Sequence, residues 1–176
     1  MKNSFFGFTL IELLISVTII MLFISMSISY INKQSDEQNL RNETGKLISI
    51  LELAKKKAYS ADYANLVCDG GFNGYEVDIS GNNYSLYLRC GGQRMPEGAP
   101  LAINTFNLVK TSVIAGDQAV IFSNLNSEAL MYDGLGSRLD SLTITLQNNS
   151  STPQCLDIVV NSSGRIDPDE TLRDCP

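Results

Sequence analysis

The chain has 176 residues, a length that suits one domain with an appendage. Its 13 Lys and Arg residues against 19 Asp and Glu residues give a net charge of −6, which argues against a general nucleic-acid binder with a basic surface. Histidine is absent, which excludes Ser-His-Asp and Cys-His catalysis, His metal ligands and the usual proton shuttle at neutral pH. Since no other nucleophile–base pair stands out, we expect neither an enzyme nor a cofactor.

A long apolar run dominates the amino-terminal part of the sequence. Residues 8–31 contain a single charged side chain, Glu12, and follow a short polar segment, residues 1–7. As a helix, the 24 residues of this run would measure about 36 Å, and a bilayer core is about 30 Å thick. The run therefore predicts a single-pass membrane helix.

Three interpretations of this run compete: a plain signal-anchor helix, a cleaved secretory signal peptide, and a short leader removed just before the run. The signal peptide fits poorly, because residues 25–29 offer serines but no Ala for cleavage, and a signal core is only about 7–15 residues long. Glu12 decides between the other two, because a carboxylate at the centre of a membrane helix costs about 2.5–3.5 kcal/mol. A cut between Gly7 and Phe8 would place Glu12 in the first turns of the helix, where the helix dipole and a new α-amino group offset that cost.

Residues 7–15, Gly-Phe-Thr-Leu-Ile-Glu-Leu-Leu-Ile, resemble the type IV prepilin signature shared by pilins, minor pilins and type II secretion pseudopilins. The resemblance implies that a prepilin peptidase cuts after Gly7 and methylates the new amino-terminal Phe8. It also implies that Glu12 acts in assembly with other pilin subunits through the apolar helix. The chain would then be a single-pass protein of the cytoplasmic (inner) membrane with its head outside the cytoplasm.

An amphipathic continuation of the helix is expected over residues 32–64, because no proline precedes Pro96. Glu52 and Lys56 have the spacing of a favourable ion pair, and Lys55, Lys56 and Lys57 indicate a solvated face. The apolar positions recur at helical spacing and predict a face packed on a sheet: Leu40, Leu47, Leu51, Ala54, Ala58 and Ala61.

The remaining residues, 65–176, predict a β-rich head. Residues 75–79 and 84–88 alternate between apolar and polar side chains on either side of a Gly-Asn-Asn turn, which indicates a hairpin. The fold class is therefore α+β, a pilin-like long helix, half transmembrane and half amphipathic, packed on an antiparallel β head. Turn residues separate the further strand candidates, which are residues 112–115, 119–123, 129–132, 142–147 and 156–161.

Segments of the head resemble the GspH/FimT group of minor pilins and pseudopilins. Residues 53–58, 65–68 and 74–77 resemble the start of that group's head, and residues 158–166 resemble its closing strand and Gly-Arg turn. The resemblance implies a structural subunit of a type IV pilus or a type II secretion pseudopilus, or alternatively a tip adhesin or DNA-uptake subunit whose head binds a ligand. Members that bind DNA tend to carry Gly-Arg-x-Arg at the turn, whereas here Asp167 follows Gly164-Arg165-Ile166. We therefore do not expect nucleic-acid binding.

Four cysteines lie in the head: Cys68, Cys90, Cys155 and Cys175. An even count in an exported domain indicates disulfides, with three possible connectivities. A four-thiolate zinc site is disfavoured because no Cys-x-x-Cys pair exists, and reduced cysteines would fit a host without oxidative folding. We favour Cys68–Cys90 and Cys155–Cys175, since each closes a local loop and the second ties down the carboxyl terminus, as pilins often do.

The last residues are acidic, with Asp167, Asp169, Glu170 and Asp174. Carboxylates at this spacing could hold Ca²⁺ through oxygen ligands, but the EF-hand pattern is absent. We expect a solvated acidic tail and no metal.

Overall fold

The computed structural model describes residues 9–61, 68, 70–95, 104–114, 116–124 and 128–175, without the side chains of residues 26–32, 104 and 170. Gly7 and Phe8, on which the cleavage prediction falls, lie outside this range. The chain divides into two compact units, Met1–Ser35 and Asp36–Pro176. The second unit is called the head below.

One helix, α1, runs from Leu10 to Tyr59. It ends earlier than the expected boundary at residue 64, because the Ser60 and Ala61 amides donate back to the Lys56 and Ala58 carbonyls in a closing turn. Ala61 adopts a φ of +47° and is exposed, so its predicted place on the core face is wrong. The other five apolar positions of the predicted face are fully buried: Leu40, Leu47, Leu51, Ala54 and Ala58.

The charges on α1 pair differently from the sequence-based expectation. Glu52 forms its ion pair with Lys55, at 3.8 Å between Oε2 and Nζ, and not with Lys56. Lys56 is exposed, whereas Lys55 and Lys57 are half-buried, and the Lys57 ammonium lies 6.0 Å from the centre of the Tyr75 ring. The three lysines therefore line the edge of the helix next to the sheet as well as its solvated face.

The larger sheet of the head is antiparallel. Its strands are β1 (Phe72–Ser80), β2 (Asn83–Cys90), β3 (Gln93–Arg94), β4 (Asn104–Asn107), β6 (Gln118–Ser123), β7 (Ala129–Tyr132) and β8 (Arg138–Leu139). They lie in the order β3-β2-β1-β6-β7-β8, and β4 also pairs with β2. The β1–β2 hairpin confirms the predicted one, with Val77 opposite Leu86.

The strands of the smaller sheet are β5 (Thr111–Val113), β9 (Ser141–Asn148), β10 (Gln154–Asn161) and β11 (Ile166–Asp174). The sheet has the order β11-β10-β9-β5 and is also antiparallel. The residues of the expected solvated acidic tail form β11 along the edge of this sheet, so they are not a tail, although Asp169 and Asp174 are exposed. Pro168 stands opposite Ile158, and an edge strand tolerates a proline that cannot donate to the sheet ladder.

Alternating side chains of both sheets share one core with α1. Val77 and Phe122 contribute from the larger sheet, and Ile144 and Ile158 from the smaller, all fully buried. A bulge at the start of β1 brings Gly74 against β6 with a φ of +139°, and a Cβ there would lie 1.9 Å from the Phe122 carbonyl oxygen. Only glycine fits this position without moving the backbone.

Candidate functional site

The start of α1 is closed by a reciprocal pair of residues, Thr9 and Glu12. The Glu12 N–H donates to the Thr9 hydroxyl oxygen at 3.3 Å, while the Thr9 N–H and hydroxyl donate to Glu12 Oε2 at 3.4 and 3.2 Å. This is a capping box, in which two residues satisfy amides that the first helical turn leaves without partners. The Thr-x-x-Glu spacing in the sequence predicts this capping box, and the sequence analysis missed the capping role of Thr9.

The Glu12 carboxylate keeps capacity for a further partner. Oε2 accepts both bonds from Thr9, and Oε1 accepts none from the described residues. The side chain is exposed and lies in the first turn of the helix, where the helix dipole favours a negative charge. Glu12 can therefore accept a hydrogen bond from an external cation without losing its role in the cap.

The helix wall after Glu12 is apolar on every side. Between residues 10 and 24, large apolar side chains are exposed all around the helix, from 83% for Leu10 to 42% for Val17. A helix that is apolar all round is suited to an apolar environment supplied by other molecules. Among the described residues, no helix offers an apolar window of the length that a membrane crossing requires. Of the run expected to cross, residues 8–31, Phe8 lies outside the described residues, and residues 26–31 are described without side chains.

The family model of the prokaryotic N-terminal methylation motif matches residues 2–28. This match supports a type IV prepilin-like protein. The matched segment contains Gly7, Phe8, Thr9 and Glu12, so the capping box falls inside the motif. No curated protein and no solved structure matches the chain. Proteins of the type IV pilin family are structural subunits, and the motif suggests processing by a prepilin peptidase and assembly with other pilins.

Two disulfides close the head. Cys68 is bonded to Cys90, at the end of β2, and Cys155, in β10, is bonded to Cys175. These are the two favoured connectivities. The second bond holds the end of β11 next to β10, and a loop of this size contributes about 3 kcal/mol on the chain-entropy account.

The Gly-Arg turn lies between β10 and β11. Gly164 has a φ of +73°, and the turn closes through hydrogen bonds from the Gly164 N–H to the Asn161 carbonyl and from the Asn161 N–H to the Arg165 carbonyl. The Arg165 Nε lies 2.6 Å from Asp167 Oδ1, so the guanidinium pairs with the acid that replaces the second arginine of DNA-binding members. This pairing lowers the value of Arg165 as a phosphate ligand.

A buried carboxylate on α1, Glu43, was missed by the sequence analysis. Only 9% exposed, it accepts hydrogen bonds from the Val109 N–H at 3.2 Å and from the Thr111 hydroxyl. The pKa of Tyr84 is raised, mainly because its side chain is buried and secondarily because of the negative charge of Glu43. Glu43 lies three residues after Leu40 and so on the apolar stripe, which was the available signal for its burial. Its contacts tie α1 to the segment that joins β4 to β5.

A second buried carboxylate, Glu76, lies on the opposite face of β1 from the core residue Val77. Its Oε2 lies 2.6 Å from Arg89 Nη1, and its Oε1 lies 2.6 Å from Arg94 Nη2. Burial by itself would raise the pKa of Glu76, but the hydrogen bonds and charges of Arg94 and Arg89 outweigh it and hold the pKa below its usual value. Arg94 also stacks on the Tyr87 ring at 4.5 Å, so this face of the larger sheet is covered by a compact ion-pair network.

Proposed function

We propose that the chain is a minor pilin or pseudopilin of the GspH/FimT type, a structural subunit of a type IV pilus or a type II secretion pseudopilus. A prepilin peptidase would cut between Gly7 and Phe8 and methylate Phe8. The observation that carries the proposal is the methylation motif over residues 2–28, in the same segment where Glu12 caps a helix that is apolar all round.

Before assembly, the subunit would be stored in the cytoplasmic membrane as a single-pass protein with its head outside the cytoplasm. Two features support this location. Residues 8–31 carry one charged side chain, and the cysteines of the head are paired in two disulfides, as is usual in oxidising compartments.

The capping box suggests how Glu12 would act in the filament. Thr9 holds the carboxylate at the start of the helix through Oε2, and Oε1 stays available within the described part of the chain. After cleavage, the Phe8 amine of a neighbouring subunit would be the positive partner for this oxygen. Because an unpaired charge is costly among apolar helices, the pair would favour one axial register between subunits.

Three variants separate the charge of Glu12 from its capping role. Glu12→Leu removes both, Glu12→Gln keeps an acceptor for the cap without the charge, and Thr9→Val removes the cap and keeps the charge. We expect both Glu12 variants to be cleaved normally and to lose incorporation into sheared filaments by roughly tenfold or more. Thr9→Val should retain most of its incorporation.

The matched readouts are the membrane level of each variant, its amino-terminal mass and its amount in the sheared filament fraction. Normal incorporation of Glu12→Gln would show that Glu12 only caps the helix, and normal incorporation of Glu12→Leu would remove Glu12 from assembly altogether.

A further inference from the structure

The contacts of α1 within the head show at which end of the sheets the helix enters. Near the first residues of the head, Glu43 accepts a hydrogen bond from the Val109 N–H in the segment between β4 and β5. Four turns later, the Lys57 ammonium lies 6.0 Å from the centre of the Tyr75 ring, near the start of β1. Within the head, α1 therefore runs from the segment before β5 toward the start of β1.

The end at which α1 enters is built from short connections, and we call it the base of the head. The Leu108 N–H donates to the Asn82 carbonyl at 2.7 Å, so the segment that bonds Glu43 also holds the β1–β2 turn. The Asn149 N–H donates to the Lys110 carbonyl at 3.2 Å, which adds the turn between β9 and β10. The base consists of residues 81–82, 108–110, 133–137 and 149–153.

The turn between β7 and β8, residues 133–137, is tied to the same end. A Cβ at Gly134 would lie 2.8 Å from the Asp117 carbonyl oxygen, so the turn packs directly on the backbone of Asp117. The Asp117 carboxylate accepts a hydrogen bond from the Ser80 hydroxyl at 2.7 Å, next to the β1–β2 turn. The turn therefore lies beside the other connections of the base.

The base presents the two most exposed large apolar side chains of the described part of the head. Val109 is 78% exposed and Leu135 is 92% exposed. Both stand on fixed backbone, because Glu43 holds the Val109 N–H and the Asp133 carboxylate accepts hydrogen bonds from the Leu135 and Ser137 N–H groups. Little conformational freedom is left for these two positions to lose on binding.

The charges around the base have mixed signs. The turns of residues 81–82 and 149–153 are uncharged and rich in Asn and Ser. The charged side chains at this end are basic Arg41, Lys110 and Arg138 and acidic Asp36, Glu37, Asp117, Asp133 and Asp174. This mixture gives no net attraction to anionic groups, so a surface that binds the base must do so through Val109 and Leu135.

We propose that the base is a lipid-docking surface, and that Val109 and Leu135 insert into the surface of the phospholipid bilayer while the subunit is stored there. The proposal rests on the proposed function, which places residues 8–31 in the bilayer. The head begins at Asp36, five residues after that run, and five residues reach at most about 18 Å even when extended. The entry point of α1 into the head is therefore held near the bilayer.

Two apolar side chains would bind a separate vesicle only weakly, because stable attachment to a membrane needs more buried apolar surface or a second anchor. Here the run of residues 8–31 is that anchor. The docking contact becomes intramolecular, so a weak interaction is enough to populate it. The uncharged Asn and Ser side chains of the base would lie among the lipid headgroups.

The test uses tryptophan as a reporter, because the chain contains none. The variants Leu135→Trp and Val109→Trp of the full chain are reconstituted into phosphatidylcholine vesicles, with and without lipids brominated on their acyl chains, which quench a tryptophan that reaches them. Ser163→Trp is the matched control, since Ser163 is exposed at the opposite end of β10 from the base. We expect quenching at positions 135 and 109 to exceed that at 163 by roughly threefold or more.

Further variants and conditions test the apolar mechanism. In the Leu135→Trp chain, Val109→Asp should reduce the quenching toward the level of Ser163→Trp, whereas Val109→Leu should preserve it. High salt and an added anionic lipid should leave the quenching unchanged, because the charges of the base are mixed. Tenfold dilution with lipid should also leave it unchanged.

Several results would overturn the proposal: equal quenching at all three positions, dependence on anionic lipid, or loss of quenching on dilution, which would show that another copy of the chain covers the base. Flotation of the vesicles and the amino-terminal mass after treatment with a prepilin peptidase are measured on the same samples. A chain that floats and is cleaved but shows no quenching overturns the docking alone. A chain that does not float with the vesicles overturns the proposed function as well.

Discussion

The two units of this chain treat apolar side chains in opposite ways, although one helix supplies both. Leu10 and Phe23 of the first unit are 83% and 68% exposed, whereas Leu47 and Leu51 of the head are fully buried. The sequence pattern accounts for the difference. The first stretch is apolar at nearly every position, and the second is apolar at helical spacing and polar elsewhere. The head therefore buries its core within itself, and the first unit leaves its apolar surface for other molecules.

The largest expected effect on stability comes from a substitution at Gly74, and it should destabilise the head alone. Gly74→Ala should lower the free energy of unfolding by at least about 3 kcal/mol, because the Cβ meets the Phe122 carbonyl and the φ is positive. Denaturant unfolding of the full chain in detergent, followed by tyrosine fluorescence, measures this change.

Gly81→Ala is the matched control, since Gly81 has a φ of +56° but nothing within 4 Å of the added Cβ. It should cost only about 1–2 kcal/mol. Equal losses in the two variants would show that the contact with Phe122 carries no energy. Neither variant should change processing at the amino terminus, because that site lies in the other unit.

A smaller effect comes from Glu76 and depends on pH. Glu76→Gln should lower the free energy of unfolding by about 1–2 kcal/mol at neutral pH. The loss is smaller than for a fully buried ion pair because Arg94 is partly exposed to solvent. Since the pKa of Glu76 is lower in the folded head than its ordinary value of 4.5, its contribution is present above pH 4.5. The contribution disappears as the pH falls through the lowered pKa.

Unfolding curves at several pH values test this sign. The wild-type chain and Glu76→Gln should converge in stability under acidic conditions, and a constant difference down to strongly acidic pH would contradict the assignment. Asp78→Asn is the control, because Asp78 contacts Arg94 at 3.0 Å but is more exposed than Glu76 and should cost less.

The smallest expected effect has the opposite sign. Gly45→Ala should stabilise the full chain by about 0.5–1 kcal/mol, because alanine favours the helix and its Cβ meets no neighbour. A Gly45→Ala chain that is less stable than wild type would show that the head itself needs this glycine. The same unfolding measurement applies, with Ser49→Ala, one turn further along the exposed helix surface, as the control.

The sequence predicted the features that local patterns determine. The stripe from Leu40 to Ala58, the hairpin around Gly81 and both disulfide pairings agree with the structure. The box formed by Thr9 and Glu12 was readable from its spacing but was overlooked.

Other features depend on contacts between distant segments. Glu43 is buried because Val109 and Thr111, more than sixty residues away in the chain, supply its donors. The sequence of β11 resembles an acidic tail because an edge strand needs no apolar side chains on its exposed face. The pairing of β11 with β10 becomes visible only in the folded structure.

The most direct test of the account is the amino-terminal mass of the chain extracted from membranes of cells with an active prepilin peptidase, with a known prepilin as the internal control. The account predicts a mature chain that starts at N-methylated Phe8. A chain that starts near Tyr30, or an intact Met1 while the control prepilin is fully cleaved, would contradict it.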